Sequence, residues 1–197
     1  MKRRDVLLVL GKTGSGKSHL VKDIVSRLGK VIVFDPREEY HLGVVFTDAN
    51  ELIDFVLDHW NAHAFVYVCR FGPIGEYRRA AELAFILGDC TVVMEEAELF
   101  LSSYDRDSTD PLNIIISQGR HKSVSVIAIS RRPTEIPVRL RSDVDQTITF
   151  EMREPGCVDY LLEWGFDLEE LEALTKERHN YAIVGSSSIG PRPFGDS

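Results

Sequence analysis

The chain has 197 residues, 44% of them hydrophobic, and a net charge of −8, which suits one domain with a sizeable core and excludes a protein that coats nucleic acid over its whole surface. Its three cysteines, Cys69, Cys90 and Cys157, are widely spaced and form no C-x-x-C pair, so they read as reduced packing residues. Met1-Lys2-Arg3-Arg4 is basic, but the apolar run behind it, Val6 to Leu10, is far too short for a signal peptide or a membrane span, and a soluble, cytoplasmic protein is expected.

That apolar run is strand-like and empties into Gly11-Lys12-Thr13-Gly14-Ser15-Gly16-Lys17-Ser18, a full match to GxxxxGK[ST]. Glycines let the backbone curl so that successive N–H groups point at a β-phosphate. Lys17 reaches the β and γ oxygens, and Ser18 supplies a hydroxyl for Mg²⁺. Leu20, Ile24 and Leu28 recur at helical spacing, so the phosphates would rest at a helix N-terminus, with residues 11–19, His19 included, as the nucleotide-binding stretch. Strand, loop and helix in that order predict a protein that binds ATP and Mg²⁺.

Residues 30–34 form a second apolar strand, closed by Asp35-Pro36. A helix is expected over 50–58, a strand over 64–69, a helix over 75–87 ending at Gly88, a strand over 91–94, and a helix over 112–118. Strands follow over 124–129 and 147–150, then two short acidic helices between 154 and 177 broken at Gly165, then a last strand over 181–184. Strands that read as continuous apolar runs and alternate with helices predict an α/β fold, a mostly parallel sheet covered on both faces. One domain over 1–184 with a mobile tail over 185–197, rich in Ser, Gly and Pro, completes the organisation. Positive residues cluster in Arg70 to Arg79, in Arg120-His121-Lys122, and from Arg131-Arg132 to Arg141; the bland reading of each is a solvated face.

The strand over 91–94 ends in Glu95-Glu96-Ala97-Glu98. A phosphate-loop hydrolase needs one carboxylate near Mg²⁺ and a second group to act on the attacking water, both projecting from a strand end beside the loop. Glu95 fits the first role and Glu96 the second; the alternative is a charged helix start after a strand.

Three further segments, DPREEY (35–40), VVMEEAELF (92–100) and GRHKSVSVIAISRRPTEIP (119–137), resemble in order and character the HerA/FtsK superfamily of ring-forming, DNA-translocating ATPases. That resemblance implies a RecA-like P-loop NTPase core. It also implies that Arg120 is an arginine supplied to the neighbouring subunit's nucleotide, where such a finger is worth on the order of 10³–10⁵ in rate; otherwise Arg120 is a cation favourable to a helix C-terminus. Two positions depart from the family pattern: the metal carboxylate is Glu95 rather than Asp, reaching the metal directly or through a water, and the sensor glutamine falls on Arg131.

The resemblance extends to the minimal packaging ATPases of membrane-containing icosahedral viruses. It implies an ATP-hydrolysing translocase of double-stranded DNA, assembled as a hexameric or pentameric ring, with a docking partner on a capsid or membrane protein and a place in the host cytoplasm or virion. A few basic residues per subunit, repeated around a pore, would give an acidic chain a positive lining. A small-molecule kinase and a regulatory ATP-binding switch are the alternatives.

Overall fold

The computed structural model describes residues 4–61, 64–101, 107–175 and 179–191. Eight strands within them, β1 (Val6–Leu10), β2 (Lys30–Phe34), β3 (Val44–Phe46), β4 (Phe65–Cys69), β5 (Cys90–Met94), β6 (Val124–Ser130), β7 (Gln146–Phe150) and β8 (Tyr181–Gly185), pair in the order β3-β4-β2-β5-β6-β1-β7-β8. Every pairing is parallel except β7 with β8. β1 is buried along its whole length because both sheet faces are covered, which is why it reads as an unbroken apolar run rather than an alternating one.

The two faces are covered unequally. Leu7 and Val9 point into a cluster with Val21, Ile24 and Val25 of α1 (Lys17–Arg27) and with Tyr40. Val6, Leu8 and Leu10 point the other way. There they meet residues of α2 (Ala49–His59), α3 (Ile74–Leu87), α4 (Pro111–Gln118), α5 (Val138–Asp143), α6 (Pro155–Glu163) and α7 (Leu168–Ala173). Period-2 alternation of side chains in β1 thus feeds two separate cores. All three cysteines are free and buried.

The expected elements form within a residue or two of their sequence boundaries, except that the last acidic helix, expected to run towards 177, ends at Ala173. Among the described strands and α-helices, two were not anticipated: β3, whose three residues are too few for a period to show, and α5, whose Arg139 and Arg141 read as part of a basic cluster. The first residues of the segment expected to be a mobile tail carry bonds to the sheet. Ser188 donates to the Asp5 carboxylate, Gln146 Nε2 donates to the Pro191 carbonyl at 2.9 Å, and Ile189 packs on the α1-side core; residues 192–197 lie outside the described residues. Among the described residues no helix is long and apolar enough to cross a membrane.

Candidate active site

β1, β2, β5 and β6 are parallel neighbours, so the segments following them gather at one edge of the sheet. The loop after β1 turns on glycines. Gly11 has φ +151°, and a Cβ there would stand 2.7 Å from both Ser15 Oγ and Phe150 Cβ. Gly16, at φ +110°, leads into α1, and its Cβ would stand 3.0 Å from His179 Nδ1. No other residue type allows these dihedrals and this closeness together. Lys12, Thr13 and Gly14 are exposed along the loop, Ser18 is half-exposed and His19 exposed in the first turn of α1, and Ser15 and Lys17 are buried.

Lys17 Nζ donates to the carbonyls of Gly11 (2.6 Å) and Lys12 (2.9 Å). Burial lowers its pKa, and the charge of Glu95 pulls the other way. Ser15 Oγ is buried without a hydrogen-bond partner among the described residues.

The segment after β5 presents the acidic pair. Glu95 is 3% exposed, and its carboxyl is pushed up to about 7, first by burial and then by the charge of Glu39. Tyr40, itself raised by burial, lies beside it. Neither Glu95 Oε1 nor the Tyr40 hydroxyl makes a hydrogen bond of good geometry among the described residues. An ionised buried carboxylate needs a counter-charge, so an orphaned oxygen facing a lysine across a phosphate-binding loop suits a divalent cation. Among the described residues no group of three or more His, Cys, Asp or Glu stands ready to hold a metal alone. Ser18, Glu95 and substrate phosphates would have to share that work.

Asp35, fully buried, shapes the DPREEY turn. It accepts from the backbone N–H groups of Glu39 (2.8 Å) and Tyr40 (3.1 Å) and from Arg70 Nε (3.1 Å). The turn seats Tyr40 against α1 and presents Arg37 to Glu96, Arg37 Nε donating to Glu96 Oε2 at 2.7 Å. Arg131, just past β6, forms an ion pair with Glu96 Oε1. Arg131, which stands at the position of the family's sensor glutamine, thus has as its partner the carboxylate assigned to the water. Glu98, also raised by burial, lies next to Ser130.

Arg120 is brought nowhere near these groups. It lies in a 3₁₀ turn over Gly119–Lys122 that precedes β6, whereas Arg131 follows the same strand. Seven residues of strand separate the two by about 20 Å, taking roughly 3.3 Å per residue. Arg120 is instead close enough to Arg4 for its charge to help lower that guanidinium's pKa, burial being the larger cause. Arg120 is therefore out of reach of this chain's own phosphate loop.

Sequence reasoning missed His179 and Arg37. His179 Nδ1 sits 3.2 Å from the Ser15 carbonyl, carried there because β8 runs antiparallel to β7 and starts at the phosphate-loop edge. No local pattern marks His179, and although Arg37 lies within DPREEY, that motif does not show that its partner is Glu96.

Loop, sheet order and acidic strand end together define a P-loop NTPase fold, in which one strand, β6, separates the strand that carries the phosphate loop from the strand that carries the acidic pair. The resemblance to HerA/FtsK ATPases is met in sequence over the first part of the chain, and solved structures match the fold. A family described as "Helicase HerA, central domain" matches residues 5–61. The genome-packaging NTPase B204 of Sulfolobus turreted icosahedral virus 2, solved with AMPPCP, superposes with a TM-score of 0.72 at 18% identity, over 94% of this chain and 93% of that one. B204 from Sulfolobus turreted icosahedral virus, a DNA-packaging ATPase, gives 0.70 at 21% identity over 94% of each chain. VirB4 of Thermoanaerobacter pseudethanolicus gives 0.64 at 11% identity, over 92% of this chain and 87% of that one. No curated protein sequence matches significantly.

Proposed function

We propose that this chain is an ATP-hydrolysing motor that moves double-stranded DNA, working as a ring and loading a viral genome. The observation that carries the hydrolytic part is the acidic pair at the end of β5: Glu95, buried with an orphaned oxygen and near enough for its charge to act on Lys17, and Glu96, 13% exposed at its side chain and paired with Arg131, whose charge also reaches Lys17. In the reaction, a water oxygen bonds to the γ-phosphorus while the bond to the β–γ bridging oxygen breaks. Glu96 takes the water's proton, and Lys17 balances charge on the phosphates. Mg²⁺ held by Ser18 and Glu95 would neutralise phosphate charge.

The ring rests on Arg120. A cation at the edge of the sheet opposite its own nucleotide can complete an active site only in a neighbouring subunit. The packaging role rests on likeness to B204 and on the HerA-type match. The test is the ATPase rate with and without double-stranded DNA, together with movement of a roadblock along that DNA. Stimulated hydrolysis with movement is expected. Hydrolysis indifferent to DNA refutes the motor, and phosphate transfer to a small acceptor instead of water identifies a kinase.

A further inference from the structure

Glu96 has more partners than a proton acceptor needs. To receive a proton from water it must keep one oxygen open, yet Arg131 occupies Oε1 and Arg37 Nε occupies Oε2 at 2.7 Å. The backbone fixes this arrangement. Glu96 sits at φ 57°, ψ 65°, and its carbonyl accepts from Leu99 N–H at 2.8 Å to start the 3₁₀ turn Ala97–Leu99.

The two arginines are not equivalent. Arg37 belongs to the turn held by Asp35, and its guanidinium approaches from the β2 side. Arg131 follows β6, whose last residue pairs with Leu10 at the mouth of the phosphate loop, and its charge is felt at Lys17, where it helps lower the pKa. An anion seated on Lys17 would therefore compete with Glu96 for Arg131. Arg37 would feel no such competition, because Glu96 stands between it and the loop.

Resting on the hydrolytic reading above, we propose that Glu96 is latched between two arginines and that the γ-phosphate of ATP opens the latch. The phosphate draws Arg131 away and frees Oε1 for water, while Arg37 remains on Oε2 as a positioning residue. The exchange moves one guanidinium from one anion to another, so no proton is gained or lost. ADP has no γ-phosphate and leaves the latch closed. A ligand shifts such an equilibrium only through its differential affinity for the two states, and here the difference is the Arg131–phosphate contact.

The experiment is a double-mutant cycle on nucleotide affinity, with ATPγS and ADP as probes and wild type, Glu96→Gln, Arg131→Gln and the double variant as proteins. The latch requires Glu96→Gln to tighten ATPγS by about fivefold, the upper range for a partly exposed pair, and to leave ADP unchanged. In the Arg131→Gln background the same change should have no effect. If Glu96→Gln tightens ATPγS equally in both backgrounds, simple repulsion between carboxylate and phosphate is the cause and the latch is wrong. For Arg37, the expected result is a kcat lowered about tenfold in Arg37→Ala with ATPγS affinity unchanged and partial recovery in Arg37→Lys. Unchanged kcat, or a loss of affinity instead, overturns its positioning role. Wild-type protein that binds neither probe overturns the nucleotide reading itself, whereas binding without coupling overturns the latch alone.

Discussion

Replacing Asp35 with alanine tests whether one buried carboxylate organises the turn that carries Arg37 and Tyr40. The side chain is fully buried and serves two backbone N–H groups and the Arg70 guanidinium. Alanine leaves both donors without an acceptor, at about 1 kcal/mol or more each, and breaks a charge pair whose other member is only 19% exposed. The sum comes to about 3–5 kcal/mol, the range for removing one partner of a buried pair. In a domain of this size that lowers Tm by roughly 6–20 °C. Asp35→Asn, which keeps one acceptor oxygen, should lose roughly half as much. Urea denaturation gives the measurement, with an unchanged m-value showing that stability rather than the denatured state has shifted. A loss under about 1 kcal/mol in Asp35→Ala would show that the turn is held by Tyr40 packing and that the hydrogen bonds are incidental.

Lys17→Ala should abolish tight ATP binding, while Glu96→Gln should bind ATP and fail to turn it over; single-turnover kinetics separate the two, and sustained hydrolysis by Glu96→Gln would move the base to Glu95 or Glu98. Arg120→Ala and Glu96→Gln proteins should each be inactive yet regain DNA-stimulated activity when mixed, because some interfaces then pair an intact Arg120 with an intact Glu96; mixed oligomers seen by native mass spectrometry without recovery would return Arg120 to a structural cation. Glu95, at about 7 in the folded chain and about 4.3 unfolded, binds its proton more tightly when folded. Its contribution is therefore present below about pH 4 and lost as pH rises through 7, by up to about 4 kcal/mol. In metal-free buffer Glu95→Gln should flatten that slope in urea midpoints between pH 5 and pH 8, and parallel profiles for the two proteins would refute the burial argument.

How much of this was legible beforehand divides along the range of the interactions. Strand β1, the glycine turn, Lys17 and the first turn of α1 lie within one continuous stretch, where apolar runs and glycine dihedrals act locally. The acidic pair was legible for the same reason, since it ends an apolar strand. By contrast, Arg37 meets Glu96 across 59 residues and His179 meets Ser15 across 164. Those meetings depend on strand order, and apolar runs of equal length such as Val31-Ile32-Val33 and Val92-Val93-Met94 carry no mark of which neighbour each will choose.

The sequence by itself determined the phosphate loop, the alternation of strands and helices, and the chemistry available at each strand end. The tertiary structure alone decided that Arg131 lies on Glu96, that Arg120 lies on the far edge of the sheet, and that the chain returns through β8 to brace the loop. Periodicity fixes what each segment becomes, because backbone geometry and burial act over a few residues. Which side chains then meet is set by packing the sheet into one order, and that is a property of the whole chain.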